Sequence, residues 1–397
     1  MLNTSFSPWP SFTKEEADAV SGVLLSNRVN QWTGNEVRSF ETEFAKWCGA
    51  NHAVALANGT LALDLALHGL GIGAANGGSA NDEVVVTPRS FIASVSCVVN
   101  AGAVPVFADV DLVAGNLSVE TIKPVLTPRT KAVIPVHLAG WPCDMPAIMQ
   151  LAGERGFKVI EDCAQAHGGS IEGNPLGSFG HVSAWSFCQD KIMSTGGEGG
   201  IVTCDDHALW NRMWSFKDHG KSHEAMFNRT HAAGFRWVHE SIGTNWRMLE
   251  MQAAIGRIQL KRMDVWHAAR KHNAEAIWKA AGGFSFALTP HLPKTWEHAY
   301  YKAYIHIDPT KLAKGWTRDK LIASISEHAV PCYHGGCTEI YLEKAFEGAV
   351  WRPTQRLPHA RQLGETSMMF LVHPTLTQAE IDKTCEAIKH VFEQASV

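Results

Sequence analysis

From about residue 52 onward, short apolar runs alternate with stretches in which apolar residues recur every three or four positions. The first pattern suits strands buried on both faces, and the second suits the helices that cover them. Strands are expected at residues 52–56, 83–87, 104–110, 131–138, 158–162, 182–187 and 200–204, with helices at 61–70, 91–101, 119–126 and 145–156. This rhythm predicts an α/β fold with a mainly parallel central sheet flanked by helices. A long helical stretch from 249 to about 278 follows, then a strand at 303–307 and helices at 318–328 and 378–395. We expect a large domain over residues 1–262, including an N-terminal arm, and a smaller C-terminal α/β domain over 263–397. Residues 74–81 read as a loop by composition.

The chain has 397 residues, 45% of them hydrophobic and 19% charged, which excludes a disordered protein and a one-domain peptide module. A net charge of -4 makes no electrostatic case for nucleic acid. The nine cysteines are odd in number and scattered, as expected of buried thiols in a reducing compartment. Cys332, His334 and Cys337 lie close in sequence, yet no second ligand cluster is near them, so no metal is expected. The amino terminus has no basic segment followed by an apolar run, and no stretch approaches membrane-spanning length. A cytoplasmic protein acting on small molecules, without nucleic-acid or membrane partners, is the expectation.

In folds of this kind, functional residues gather at the carboxyl ends of the strands. Asn58-Gly59-Thr60 follows the first strand and opens a helix, where free N–H groups and a hydroxyl suit a phosphate; a plain helix cap is the competing reading. Phe91 follows the second strand and offers a flat face for a ring, although most aromatics in such a place are core residues. Asp162 ends the fifth strand, where a buried carboxylate calls for a cation. Gln165 is a hydrogen-bond donor beside it, and His137 and His167 lie near the same edge and are candidate ligand contacts. Ser186 ends the sixth strand, and Lys191 follows it, ahead of Gly196-Gly197-Glu198-Gly199-Gly200. An amine that can form a Schiff base and a carboxylate that can keep a pyridine nitrogen protonated together suggest pyridoxal 5'-phosphate. The glycines are expected to let backbone pass close to a flat ring.

The ordered set of segments resembles the DegT/DnrJ family of sugar-nucleotide aminotransferases, which are fold-type I pyridoxal phosphate enzymes. The segments are Trp32-Thr33-Gly34-Asn35-Glu36-Val37, Asn58-Gly59-Thr60-Leu61, Phe107-Ala108-Asp109-Val110-Asp111, Val136-His137-Leu138-Ala139-Gly140, Glu161-Asp162-Cys163-Ala164-Gln165-Ala166-His167-Gly168, the lysine segment, and Gly243-Thr244-Asn245-Trp246-Arg247-Met248. The resemblance implies that Lys191 holds the cofactor and later moves protons. Asp162 would pair with the ring nitrogen, Gln165 with the ring oxygen, and Phe91 would stack on the ring, while Gly59, Thr60 and Ser186 hold the phosphate. It further implies a homodimer with shared active sites, in which Asn245 reaches the neighbour's cofactor phosphate and Arg247 the substrate diphosphate. L-glutamate would give up its amine and leave as 2-oxoglutarate, and a nucleotide-linked keto-deoxy sugar would receive it.

Relatives that dehydrate sugars carry histidine in place of the lysine, so Lys191 argues against that branch. Other pyridoxal phosphate chemistry on the same scaffold, sugar dehydration or a lyase reaction, or a non-catalytic sugar-nucleotide-binding regulator, are the alternatives. Three departures from the family pattern stand out: the long 74–81 loop, Asn58 where serine is more usual, and motifs suggesting both C3 and C4 as the keto position.

Overall fold

The computed structural model describes residues 6–397. Seven strands form the main sheet: β1 (His52–Leu56), β2 (Glu83–Val86), β3 (Val104–Phe107), β4 (Thr130–Ile134), β5 (Lys158–Asp162), β6 (Val182–Ser186) and β7 (Gly200–Cys204). Their spatial order is β1-β7-β6-β5-β4-β2-β3, and all pairings are parallel except the two that β7 makes. β7 runs backward because a glycine turn, with Gly196 at φ 88° and Gly197 at φ 116°, returns the chain directly beside β6. Side chains with φ in that range are strained, so glycine is needed there.

Alternate residues of the buried strands feed two cores, as a period of two requires. Val85, Val133, Val159, Trp185 and Ile201 face one core, together with the helix Glu36–Cys48. Val84, Ile134, Ile160, Ala184 and Val202 face the other, under the helices Gly59–Leu70 and Ala93–Asn100. Helix Glu36–Cys48 escaped the sequence reading although Val37, Phe40, Phe44 and Cys48 repeat at helical spacing and Gly49 closes it at φ 75°.

A smaller sheet of β8 (Ala287–Leu288), β9 (Ala303–Ile307), β10 (Cys332–Tyr333) and β11 (Ser367–Phe370), in the order β8-β9-β11-β10, shares a third core with the helices Arg318–Glu327 and Gln378–Ala395. The stretch expected to be one helix is two, Glu250–Leu260 and Met263–Ala281, broken at Lys261-Arg262. The expected helix at 119–126 shortens to Val119–Ile122, because Pro124 diverts the following turn into a tighter spiral, Lys123–Val125. Within the described residues, no helix is long and apolar enough to cross a membrane.

Register positions the site. Leu56 and Ser186 both pair with Gly200, and Asp162 pairs with Ala184 on the next strand. The ends of β1, β5 and β6 therefore open on one edge of the sheet.

Candidate functional site

Gly59 begins its helix against the end of β6. A Cβ at Gly59 would lie 2.5 Å from Ser186 Cβ, and one at Gly200 would lie 2.3 Å from Asn58 O, so both close approaches require glycine. Asn58 caps the helix by accepting the Leu61 N–H at 3.0 Å. The N–H groups of the first turn have no partner inside the helix, and Thr60 and Ser186 add hydroxyls beside them. The result is an anion cradle. The glycines after Lys191 serve the turn, with Gly196 and Gly197 at positive φ, and the close approach of Gly200 to Asn58-Gly59.

Asp162 is 4% exposed, accepting from Ser94 Oγ at 2.8 Å and from the Ala164 N–H at 3.1 Å. Burial pushes its carboxyl above the ordinary range, only partly opposed by those hydrogen bonds and by Lys191. Among the described residues no cation comes within ion-pair distance of it, so the site can accept a protonated nitrogen. Gln165 is oriented by the Ala139 N–H, which donates to its amide oxygen at 2.6 Å and leaves the NH2 as the remaining donor. Ala139 sits at φ 60°, a conformation uncommon for a residue with a side chain and one that marks functional sites. Phe91 is 67% exposed, the opposite of a core aromatic.

Lys191 is held by its backbone: its N–H donates to Cys188 O at 3.0 Å, and the Trp9 indole donates to its carbonyl at 2.8 Å. Its Nζ lies 3.7 Å from Asp190 Oδ1 and 5.3 Å from the Tyr301 ring centre. The Tyr301 hydroxyl donates to the other Asp190 oxygen. Burial would raise the Asp190 carboxyl, but Lys191, Tyr301 and Lys302 outweigh it and hold it below its ordinary value. Ser94, Asp190, Tyr301 and Trp9 were missed from sequence. Ser94 lay within reach, three residues after Phe91 before a helical run, whereas Trp9 and Tyr301 arrive from distant chain with no local signal.

The structure overturns two expected ligand contacts. His137 is fully buried; its Nδ1 accepts the Cys143 N–H at 3.0 Å, so Nε2 carries the hydrogen toward Glu161 Oε1 at 3.0 Å. Glu161 alternates with Asp162 and points to the opposite face, where the N–H groups of Gly177, Phe179 and Gly180 also donate to it. His167 is also fully buried, among Phe44, Trp185 and Phe187, and neither ring nitrogen has a hydrogen-bond partner among the described residues. Burial, reinforced by Lys191 and Arg270, holds its pKa at about 3, so the ring is neutral. Neither histidine opens on the cleft.

His137, Glu161 and Cys163 bring three ligand-type atoms together, but Glu161 is saturated by N–H donors and the Cys163 thiol is pushed far up by burial and by Glu161, which keeps it protonated. Cys332 is buried, while exposed His334 faces Asp319 and exposed Cys337 faces Glu343, so these three form no ligand set.

Asn245 and Arg247 lie on a segment bridged to the end of β1, with the Ala57 N–H donating to Trp246 O at 3.0 Å. Asn245 is exposed. Arg247 Nη1 donates to buried Asp218, which also accepts from Gln31 and Lys221, and Arg247 Nε is without a partner among the described residues. Among the described residues no hydrogen bond or ion pair joins Asn245 or Arg247 to Lys191 or Asp162.

A family model described as the DegT/DnrJ/EryC1/StrS aminotransferase family matches residues 10–389. The chain belongs to that family. This DegT/DnrJ/EryC1/StrS protein is therefore a pyridoxal phosphate-dependent aminotransferase of fold type I, and the anion cradle, the buried Asp162 and the adjacent Lys191 fit the cofactor. It is 57% identical to an aminotransferase from Psychrobacter cryohalolentis of known structure, with a TM-score of 0.95 and coverage of 98% of this chain and 99% of that one. The spore coat polysaccharide biosynthesis protein SpsC of Bacillus subtilis is 32% identical over 97% of this chain and 96% of its own length. GDP-perosamine synthase of Escherichia coli O157:H7 is 33% identical, covering 96% of this chain and 97% of the relative.

Proposed function

We propose that this aminotransferase moves the amine of L-glutamate to the keto group of a nucleotide-linked deoxy sugar. The observation that carries the reading is the buried, cation-seeking Asp162 on the same sheet edge as Lys191 and the Gly59-Ser186 cradle. Relatives named GDP-perosamine synthase and dTDP-3-amino-3,4,6-trideoxy-alpha-D-glucose transaminase support the substrate class. Bound pyridoxal phosphate supplies an electron sink for charge developing on the carbon next to the transferred nitrogen. In this reading Gly59, Thr60 and Ser186 hold its phosphate, Asp162 faces the ring nitrogen, Gln165 donates to the ring oxygen and Phe91 covers one face.

Lys191 first holds the cofactor and then carries a proton between substrate and cofactor carbon. Its backbone anchors at Cys188 and Trp9 leave the side chain free to swing. Asp190, kept ionised and tied to Tyr301, offers the amine a fixed charge to return to.

The active site is completed by a second copy, whose Asn245 would reach the phosphate and whose Arg247 the substrate diphosphate, a task suited to its forked donors. Support comes from the stretch just before Asn245, where Phe235 is 77%, Trp237 82% and Ile242 91% exposed, an apolar patch that a lone subunit would leave in water. Residues 1–262 would form the cofactor domain and 263–397 the smaller one. In this reading the reaction is cytoplasmic.

The test is the visible spectrum of the cofactor-loaded protein. Loss of the long-wavelength band on adding L-glutamate, with 2-oxoglutarate released, supports the reading; a band unmoved by glutamate points to another donor or to lyase chemistry.

A further inference from the structure

Behind Ala139 and Arg89 lies a cavity of about 200 Å³ between the main sheet edge and the smaller sheet, bounded also by Trp141, His298, Tyr304 and His306. A single water needs only roughly 10–15 Å³ by such a measure, so this space is ligand-sized. It borders the cofactor site, because the Ala139 N–H donates to Gln165 and Arg89 lies two residues before Phe91.

Arg89 is 2% exposed, and its side chain makes no hydrogen bond and no ion pair among the described residues. Its guanidinium carbon lies 5.8 Å from the centre of the Tyr304 ring. Gly115 makes room for it, since a Cβ there would lie 1.9 Å from Arg89 Nη1. Asp111 is the nearby carboxylate, but it stands beyond ion-pair distance and its oxygens accept the N–H groups of Val113, Ala114 and Asn116. No aspartate or glutamate lines the cavity. His298 and His306 are kept neutral by burial, with pKa values near 3, and His306 Nδ1 has no partner. A buried guanidinium with five donors and no acceptor is costly unless a ligand supplies one. Its planar fork matches a carboxylate.

We propose that this cavity is a carboxylate-binding site anchored by Arg89, taking a carboxylate of the amino donor or of an acidic sugar. The inference rests on the aminotransferase reading for its ligand, but binding tests it independently of turnover.

Calorimetric titration of the cofactor-loaded protein with glutarate, a dicarboxylate without an amine, and with D-glucuronate against D-glucose separates the two sources. Arg89→Met should weaken the bound acid about ten- to a hundredfold, with Arg89→Lys in between. Dependence of glutarate on Arg89 assigns the donor, and dependence of glucuronate alone assigns an acidic sugar. Leu288→Trp, at the exposed rim of the same cavity, should also weaken the acid and decides the matter if the Arg89 variants fail to fold. Neither acid binding, or affinities unchanged in these variants, would overturn the proposal. If L-glutamate leaves the visible band unchanged while acid binding still depends on Arg89, the transfer reading fails and the carboxylate site stands.

Discussion

Ser94 Oγ donates to Asp162 Oδ2 at 2.8 Å, and Ser90 in turn shares a 2.9 Å hydrogen bond with Ser94, so a buried carboxylate is held by a hydroxyl relay instead of a cation. Burial raises the Asp162 carboxyl above its unfolded value. A carboxyl raised in this way contributes stability below its unfolded pKa, and that contribution is lost as pH rises through the folded one. Without cofactor, Asp162→Asn should therefore melt a few degrees above wild type at neutral pH. The gap should narrow as pH falls toward the ordinary aspartate range. With cofactor bound the order should reverse, because a charge-paired carboxylate has been lost. Melting curves with and without pyridoxal phosphate across pH check this, and a variant less stable in both states would remove the proposed pairing.

Lys191→Ala removes only one partly exposed side chain, since the backbone hydrogen bonds to Cys188 and Trp9 persist. The variant should fold and can still retain cofactor through the phosphate cradle. It should lose the long-wavelength band and transamination by at least about 10²–10⁴-fold. Single-turnover kinetics with L-glutamate measure the loss, and undiminished turnover would sink the central assignment.

Much of the main sheet was legible because its strands are continuous apolar runs punctuated by turn residues. His52–Leu56, Lys158–Asp162 and Gly200–Cys204 fall where the pattern placed them. The short β10 and β11 were not, since two to four residues carry too little periodicity. For the proposed site, Asp162 and Lys191 were singled out by their place at or just after strand ends. His137 and His167 misled because lying near the strand edge that carries Asp162 says nothing about which face of the sheet a side chain takes. Arg89 carried no local signal at all; its isolation becomes visible only when Tyr304, from distant chain, closes over it.

Arg247 is tied to Asp218, which keeps Gln31 and Lys221 as partners if the arginine is removed. Arg247→Ala should therefore fold. It should raise KM for the sugar nucleotide about ten- to a hundredfold, the range for charge-assisted hydrogen bonds to a phosphate. The glutamate half-reaction should change far less. Arg247→Lys should recover only part of the loss, because a point charge cannot reproduce the fork. Equal losses in both half-reactions would argue against a diphosphate contact.

His167 has no hydrogen-bond partner for either nitrogen and is enclosed by Phe44, Trp185 and Phe187, with ring centres 6.5, 5.0 and 5.7 Å away. An unsatisfied buried polar group costs about 1–3 kcal/mol. Phenylalanine is close in shape and brings no polar atom, so His167→Phe should be neutral to stabilising, with the slightly larger ring offsetting part of the gain. Because the ring is neutral at all working pH values, the pH dependence of transamination should not move. Thermal melting together with kcat and KM for both substrates decides between packing and catalysis. A loss of activity without a loss of stability would return His167 to the active site.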